Sequence, residues 1–226
     1  MHVCLFDIDG TLISSGGAGK AALEDALADV FNIPHAIEKL ELSGRTDRAI
    51  VRDIFTMYDI PDTVENRQRI MAAYLARLPN RLKSHNGRVL PGIVDLLKAL
   101  SERDDVLIGL LTGNVRAGAS VKLGFFGLFD YFSLGGFGDE HHDRDDVARE
   151  AVSAVKLRLN GSLVLDRVWV IGDTPLDVRC ARAVGARVAA VATGWHSPEE
   201  LAAHEPDLLL TDLSDPTALL DRMPAG

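Results

Sequence analysis

The chain begins with Met1-His2-Val3-Cys4-Leu5-Phe6-Asp7-Ile8-Asp9-Gly10-Thr11-Leu12, which places two carboxylates directly after a short apolar run. Such a run predicts a buried strand, and because side chains alternate along a strand, Asp7 and Asp9 should point the same way. Like charges this close repel, so one carboxyl is pushed toward protonation unless a cation lies between them. Gly10 then allows a sharp turn. The same Asp-x-Asp-Gly pattern also occurs in surface turns and calcium loops.

Three further apolar segments each lead into polar residues that suit phosphate chemistry. They are residues 106–111 before Thr112-Gly113-Asn114, residues 131–134 before the loop to Arg144, and residues 167–171 before Gly172-Asp173-Thr174-Pro175-Leu176-Asp177. Helical patterns separate these segments, and residues 187–191 and 207–210 continue the alternation. Strands that alternate with helices predict an α/β fold, a doubly wound parallel sheet of the Rossmann-like kind with helices on both faces.

The polar residues at the strand ends should share one crevice. Ligands of open parallel sheets bind beyond the carboxyl ends of the strands, where Asp7, Thr112 and Asp173 all fall. Asp177 lies one helical turn beyond Asp173, so both carboxylates can face the same point. Aspartates near a helix start are also common as helix caps, and Pro175 supports a helix start here. With Asp7 at a matching strand end, a metal-binding role is the better interpretation.

Residues 14–86 break the alternation of strands and helices. Their apolar residues recur at helical spacing in three stretches, which predicts three amphipathic helices. We therefore expect an α/β core made of residues 1–13 and 87–226, and a helical insert made of residues 14–86.

Taken in order, these motifs resemble the haloacid dehalogenase superfamily, specifically its phosphatase branch, which includes phosphoglycolate phosphatases. The resemblance covers nearly the whole chain, and its first and last motifs are specific. It implies that the helical insert is a small α-helical cap over the catalytic core.

The resemblance implies roles for four aspartates. A carboxylate can attack phosphorus to form an aspartyl-phosphate that water then cleaves, and Asp7 is the expected nucleophile. Asp9 is expected to protonate the leaving alcohol and later to deprotonate the attacking water. The implied cofactor is Mg²⁺, which prefers oxygen ligands. Its implied ligands are the side chains of Asp7 and Asp173 and the backbone carbonyl of Asp9. Asp177 acts either directly or through water, and water is the favoured route.

The remaining site residues are expected to hold the phosphoryl group. A hydroxyl and backbone amides of Thr112-Gly113-Asn114 can bind phosphate oxygens at a helix N-terminus, although a plain turn with an N-cap is equally compatible. The family places a basic residue, usually Lys before Pro, near the phosphate, and this chain departs from that pattern. Arg144 is the best occupant of this position, with Arg149 as the lesser candidate. The neighbouring residues 141–142 are both histidines, which we interpret as exposed loop residues instead of metal ligands.

Two basic residues of the insert are candidates for substrate binding. Gly44-Arg45-Thr46-Asp47 resembles the substrate-facing loop of the capped family, so Arg45 could reach a substrate carboxylate or hydroxyl. An exposed arginine with no ligand is the alternative. Lys20 is interpreted as a solvated helix residue.

Composition excludes several classes of protein. The net charge is −9, from 24 basic and 33 acidic residues, with no basic stripe, so nucleic acid is not an expected partner. No apolar run reaches the length of about 20 residues that a membrane helix needs. We expect no signal peptide before Asp7, a cytoplasmic location, and free thiols at Cys4 and Cys180. The expected assembly is a monomer or homodimer.

The leading functional hypothesis is a magnesium-dependent phosphatase that acts on a small phosphorylated metabolite. A phosphomutase on the same scaffold would use the same four motifs and is the alternative. A dehalogenase is disfavoured, because that branch lacks a carboxylate at the position of Asp9. A phosphorylated receiver or a non-catalytic phosphate-binding module belongs to a different class. Receivers lack the insert, and an intact set of Asp7, Asp9, Thr112 and Asp173 argues against a silent module.

Overall fold

A computed structural model describes residues 1–38 and 40–224. Within them the strands are β1 (His2–Phe6), β2 (Ile13–Ser14), β3 (Arg88–Val89), β4 (Val106–Leu111), β5 (Gly135–Gly136), β6 (Val168–Gly172), β7 (Arg187–Val191) and β8 (Leu208–Leu210). The helices are α1 (Ala18–Phe31), α2 (Asp47–Met57), α3 (Val64–Ser84), α4 (Ile93–Ser101), α5 (Arg116–Phe125), α6 (Arg144–Arg158), α7 (Pro175–Ala183), α8 (Pro198–Ala202) and α9 (Thr217–Leu220). Short 3₁₀ turns occupy Phe129–Tyr131 and Leu165–Arg167.

Six of these strands form one parallel sheet in the order β5-β4-β1-β6-β7-β8. The first strand therefore lies in the middle, with Phe6 paired to Leu110 on one side and to Ile171 on the other. The register aligns the carboxyl ends of β1, β4 and β6, as parallel pairing requires for a shared crevice. The predicted fold class, a doubly wound α/β sheet, is confirmed.

The sheet is buried on both faces, which explains why its strands are continuous apolar runs. Alternate residues of β1 enter different cores: Cys4 and Phe6 join one cluster, whereas Val3 and Leu5 join the other. Helix α4 packs into the first cluster, and α6 and α7 pack into the second. Burial on both faces holds the strand ends rigidly, which fixes the positions of the polar residues that follow them.

The predicted insert contains three helices, α1, α2 and α3, as the periodicity indicates. Their inward-facing side chains form a third apolar cluster, which Val115 of the sheet domain also joins. The chain leaves and re-enters the sheet domain through antiparallel β2 and β3, where Ile13 pairs with Val89. The bounds of the insert at residues 14 and 86 stay a prediction.

One predicted strand is misplaced. The segment 131–134 was expected to be a strand, but the edge strand β5 begins at Gly135 and a 3₁₀ turn ends at Tyr131. A Cβ added at Gly135 would lie 2.7 Å from the carbonyl oxygen of Leu110. Close approach of two backbones therefore requires glycine at this edge. The aromatic residues before it belong to the 3₁₀ turn instead, where the amide of Phe132 donates to the carbonyl oxygen of Phe129 at 3.0 Å.

Candidate active site

Arg144 links two aspartates at the carboxyl end of the sheet. Its Nη2 lies 2.8 Å from Asp7 Oδ1 and 2.6 Å from Asp177 Oδ1, and it also donates to the carbonyl oxygen of Leu111 at 3.3 Å. Its Nη1 donates to the carbonyl oxygen of Gly44 in the insert at 3.0 Å. Only 3% of Arg144 is exposed, so this guanidinium is a buried cation aimed at the predicted nucleophile.

The alternative basic residue, Arg149, lies elsewhere. It pairs with Asp146 one turn away on the exposed face of α6, with Nη1 and Oδ1 2.5 Å apart. Of the two candidates, only Arg144 is placed beside Asp7.

Three buried aspartates offer carboxylate oxygens within 4.8 Å of one another: Asp7, Asp173 and Asp177. Asp173 accepts a hydrogen bond from Thr11 Oγ1 at 3.0 Å. Asp177 accepts from the backbone amide and hydroxyl of Thr174 in a capping box at the start of α7. Asp177 is thus both a helix cap and a member of the acidic cluster, so the two sequence interpretations are compatible.

Gly10 makes room for this cluster. It has φ +86°, and a Cβ there would lie 2.2 Å from Asp173 Oδ2. The turn after Asp9 and the close approach of Asp173 both require glycine, because a side chain would be strained and would also clash.

Crowding of these carboxylates perturbs their protonation. Burial raises the pKa of Asp7 to about 6, and the nearby Asp177 and Asp9 add to the rise while Arg144 opposes it. Burial and the negative charges of Asp7 and Asp177 raise the pKa of Asp173 well above its usual range. One arginine therefore does not balance the cluster, and a bound cation would.

Asp9 has a separate cationic partner, Lys122. Lys122 Nζ lies 2.5 Å from Asp9 Oδ2 and 2.6 Å from Asn114 Oδ1, and the side chain is buried. Asn114 also donates to Asp9 Oδ2 at 3.0 Å. Burial acts to raise the pKa of Asp9, but the charge and hydrogen bonds of Lys122, together with those of Asn114, lower it overall.

Lys122 is missing from the sequence-based site. It lies on α5, three residues after buried Ala119 and next to buried Leu123, so it falls on the apolar face of an amphipathic helix. A lysine at such a position is rarely fully buried unless it is paired. The helix begins just after Thr112-Gly113-Asn114, and this combination of signals could have identified Lys122.

The predicted phosphate-binding segment lies under the insert. Thr112 is buried, and its Oγ1 accepts from the amide nitrogen of Asn114 at 3.3 Å and from Asn114 Nδ2 at 2.9 Å. The carbonyl oxygen of Gly113 accepts from the amide of Asp47 at 2.8 Å. A Cβ at Gly113 would lie 2.1 Å from the carbonyl oxygen of Arg45, so the loop contacts the insert closely.

Arg45 borders the same cavity as Asp7 but is already engaged. Its guanidinium forms an ion pair with Asp53 of α2 and donates to the carbonyl oxygen of Glu41 at 3.3 Å. The two histidines are also occupied, since His141 pairs with Glu150 at 3.1 Å and His142 accepts from Arg48 at 3.3 Å. Neither histidine joins the acidic cluster.

A cavity of about 890 Å³ opens above these groups, between the sheet and the insert. Asp7, Asp9, Asn114, Lys122 and Arg144 lie on its sheet side. The geometry therefore brings a carboxylate, two cations and an acidic cluster to the floor of a cavity large enough for an organic ligand.

Comparisons with known proteins assign the family. Residues 4–191 match the model of the haloacid dehalogenase-like hydrolase family. Phosphoglycolate phosphatase 1 of Pseudomonas aeruginosa is 30% identical over 220 residues, which cover 95% of this chain and 78% of that protein. Phosphoglycolate phosphatase of Cereibacter sphaeroides is 31% identical over 210 residues, which cover 88% of this chain and 90% of that protein.

The fold agrees with solved structures. A hydrolase from Pseudomonas syringae superposes with a TM-score of 0.73 at 23% identity and covers 99% of both chains. The chain belongs to the haloacid dehalogenase-like hydrolase family and is similar to its phosphoglycolate phosphatases. The predicted enzyme class, a phosphoric monoester hydrolase, is confirmed. Within the described part of the chain, no helix is both long and apolar enough to cross a bilayer.

Proposed function

We propose that the protein is a magnesium-dependent phosphatase that hydrolyses a small phosphomonoester through an aspartyl-phosphate intermediate, with phosphoglycolate as the first substrate to test. The observation that carries this proposal is the position of Asp7. Its carboxylate lies at the floor of the cavity, 2.8 Å from Arg144 Nη2 and within the cluster that contains Asp173 and Asp177.

Asp7, Asp9 and Arg144 have different roles in the proposed reaction. The Asp7 carboxylate attacks phosphorus, the bond from phosphorus to the leaving oxygen breaks, and Asp9 gives its proton to that oxygen. Arg144 fixes the orientation of Asp7 and faces the negative charge of the phosphoryl group. Asp9 then takes a proton from water as that water cleaves the aspartyl-phosphate.

Lys122 and Asn114 support the part that Asp9 plays. Both donate to Asp9 Oδ2 and favour its carboxylate form, which is the form that takes a proton from water in the second step. The first step requires Asp9 to carry a proton when the substrate is bound. Thr112 orients Asn114 by accepting from its side chain. Gly113 and Asn114 border the cavity, where their polar groups can meet phosphoryl oxygens.

Magnesium fits the donor set. The three buried carboxylates carry more negative charge than Arg144 offsets, and oxygen ligands are those that magnesium prefers. Asp7, Asp173 and the backbone carbonyl of Asp9 would hold it, and Asp177 would act through water. When bound, it neutralises phosphoryl oxygens and orients the phosphate.

Phosphate release from a panel of phosphorylated metabolites, with phosphoglycolate included, tests this function. Activity should vanish with EDTA and return with Mg²⁺, and Ca²⁺ should inhibit because it favours more ligands and looser geometry. Thermal denaturation with Mg²⁺ alone should show stabilisation that the Asp173→Asn variant lacks. Full turnover in metal-free buffer would exclude the magnesium site.

The alternative function is a phosphomutase. Such an enzyme would retain its phosphoenzyme and pass the phosphoryl group to a second hydroxyl of a sugar phosphate. Release of inorganic phosphate in stoichiometric amounts supports the phosphatase. Isomerised sugar phosphate without free phosphate would support the mutase.

A further inference from the structure

The cavity is larger than a two-carbon substrate needs. Its volume of about 890 Å³ approaches the upper end of small-molecule sites, which hold drug-sized ligands. The phosphoryl group occupies the floor near Asp7, so most of the remaining space is available to the leaving group. A leaving group such as glycolate would fill only a small part of it.

The walls above the floor are largely apolar. Beside polar residues such as Lys20, Glu41 and Asp47, the insert contributes five apolar or aromatic side chains to them: Leu23, Leu40, Leu42, Ile50 and Tyr74. Leu23, Ile50 and Tyr74 also pack into the apolar cluster of the insert, so this side of the cavity has a fixed shape. An apolar wall favours an apolar leaving group, because burial removes both surfaces from water.

The sheet domain contributes Trp195 to the lining of the cavity. Its side chain is 92% exposed although it borders the cavity. Trp169, the other tryptophan of the chain, is fully buried in the sheet domain. Tryptophan that is held at the mouth of a binding cavity offers a broad flat surface for contact with a ligand.

The backbone on both sides of Trp195 is anchored. Thr193 Oγ1 donates to the carbonyl oxygen of Gly10 at 2.5 Å, and a Cβ at Gly194 would lie 1.7 Å from Asp173 Oδ2. On the other side, His196 Nε2 and Ser43 Oγ of the insert share a hydrogen bond of 3.2 Å. The residues on both sides of Trp195 are therefore held beside the acidic cluster and the insert, which places the exposed indole at the cavity.

The cations that face the cavity are mostly paired within the protein. Arg144 pairs with Asp7, Lys122 pairs with Asp9, and Arg45 pairs with Asp53. Lys20 alone among the described cavity-lining cations has no ion pair. A leaving group that carries several negative charges would thus meet few free cations among the described residues of the lining.

We propose that the cavity binds phosphomonoesters with an aromatic leaving group, and that Trp195 stacks on its ring. This inference rests on the proposed phosphatase function and specifies its substrate class. The apolar wall of the insert contacts one face of the ring and Trp195 contacts the other, while the phosphoryl group lies on Asp7.

Benzyl phosphate and ethyl phosphate test the inference, since both release a primary alcohol that needs a proton. Trp195→Ala should lower kcat/KM for benzyl phosphate by about 3–10-fold, the value of an aromatic contact, and should leave ethyl phosphate unchanged. Trp195→Phe, which keeps a ring, should retain most of the rate on benzyl phosphate. Leu157→Ala removes an exposed apolar side chain outside the cavity and should change neither substrate.

Fluorescence gives a measurement that is independent of turnover. Benzylphosphonate, which cannot be hydrolysed at its carbon–phosphorus bond, should change the emission of Trp195 in a saturable manner, and ethylphosphonate should change it much less. Trp195→Phe should abolish the signal, because buried Trp169 does not border the cavity.

The outcomes separate this inference from the proposed function. Turnover of ethyl phosphate with equal losses on both substrates in Trp195→Ala would overturn the aromatic subsite while the phosphatase stands. An unchanged benzyl phosphate rate in that variant would also overturn it. Absence of turnover on every phosphomonoester would instead overturn the phosphatase, and saturable quenching by benzylphosphonate would then still support the subsite.

Discussion

The floor and the wall of the cavity differ in the kind of side chain that lines them and in how firmly those side chains are held. On the floor, Asp7, Asp177 and Arg144 are buried, and each has a partner at 2.6–2.8 Å. The wall combines apolar side chains of the insert with an exposed tryptophan from a loop of the sheet domain. The floor leaves little freedom to change a residue, whereas the wall can vary in shape without disturbing it. Under the proposed function, the reaction chemistry belongs to the floor and the choice of substrate to the wall.

Removing the nucleophile should have the largest effect. Asp7→Asn should abolish both turnover and the covalent phosphoenzyme, because an amide does not attack phosphorus. Acid-quenched enzyme incubated with radiolabelled substrate measures the intermediate. The control is Asp146→Asn, which changes a half-buried aspartate that pairs with Arg149 away from the cavity and should keep full activity. Near-normal turnover in Asp7→Asn would assign the nucleophile elsewhere.

Changes to Asp9 and Lys122, the ion pair between floor and wall, should have the second-largest effect on turnover. Asp9→Asn should slow turnover of an alkyl phosphate by roughly 10²–10⁴-fold, and 4-nitrophenyl phosphate much less, because its leaving group needs no proton. Lys122→Met should slow the alkyl phosphate by roughly 10–150-fold, the value of a hydrogen bond to a charged group.

The double variant distinguishes a positioning role for Lys122 from a role of its own. If Lys122 acts through Asp9, the variant with both changes should be no slower than Asp9→Asn alone. Losses that multiply would mean that Lys122 contacts the substrate directly. Lys122→Arg should recover part of the rate, since it keeps the charge.

A smaller effect is expected on the wall. Arg45→Ala should lower kcat/KM for phosphoglycolate by about 10-fold, near the lower limit for a charged hydrogen bond, because the guanidinium must first leave Asp53. Benzyl phosphate should be unaffected. Asp53→Asn releases Arg45 and should improve phosphoglycolate turnover. Equal losses on both substrates in Arg45→Ala would mean that this ion pair supports the fold.

The smallest expected effect concerns stability. Burial raises the pKa of Asp47 to about 6, although Lys122 and the amide of Val115 favour its anion. The folded state therefore holds this proton more tightly than the unfolded state, whose pKa is near 3.8. Its stabilising contribution is complete below that value and is lost as the pH rises through 6.

Urea unfolding at two pH values measures this contribution. Asp47→Asn should stabilise the protein by about 1–2 kcal/mol at neutral pH, with no gain at acidic pH. Asp95→Asn, which changes an exposed first-turn aspartate of α4, should destabilise slightly at neutral pH instead. A loss of stability in Asp47→Asn at neutral pH would contradict the raised pKa.

The floor could be predicted from the sequence because short stretches of consecutive residues show where each strand ends. Apolar runs locate β1, β4 and β6, and parallel pairing brings the residues after them together, so Asp7 and Asp173 were expected to be close. Arg144 could also be proposed from its position at the start of α6. The structure places it beside Asp7, but its catalytic role stays a prediction.

The wall could not be predicted in the same way. The Arg45–Asp53 ion pair joins a loop to a helix, so the two residues do not have the spacing that predicts an ion pair within one helix. The position of Trp195 depends on contacts of its neighbours with Gly10 and Ser43, which are distant in sequence. The pairing of Lys122 with Asp9 could be predicted only with knowledge of which residues pack against the buried face of α5. Such contacts arise from tertiary packing, which local patterns do not encode.

The central position of β1 has a consequence for biosynthesis. This strand is made before its partners in the sheet: it pairs through His2 with Val106 and through Val3 with Val168, so its neighbours emerge from the ribosome much later. The three helices of the insert depend on closer contacts and can assemble in the meantime. An apolar strand without partners is prone to aggregation, and nonlocal pairing is slow. Residues 2–6 therefore need protection in the nascent chain until residues 168–171, which pair with their second edge, have been translated.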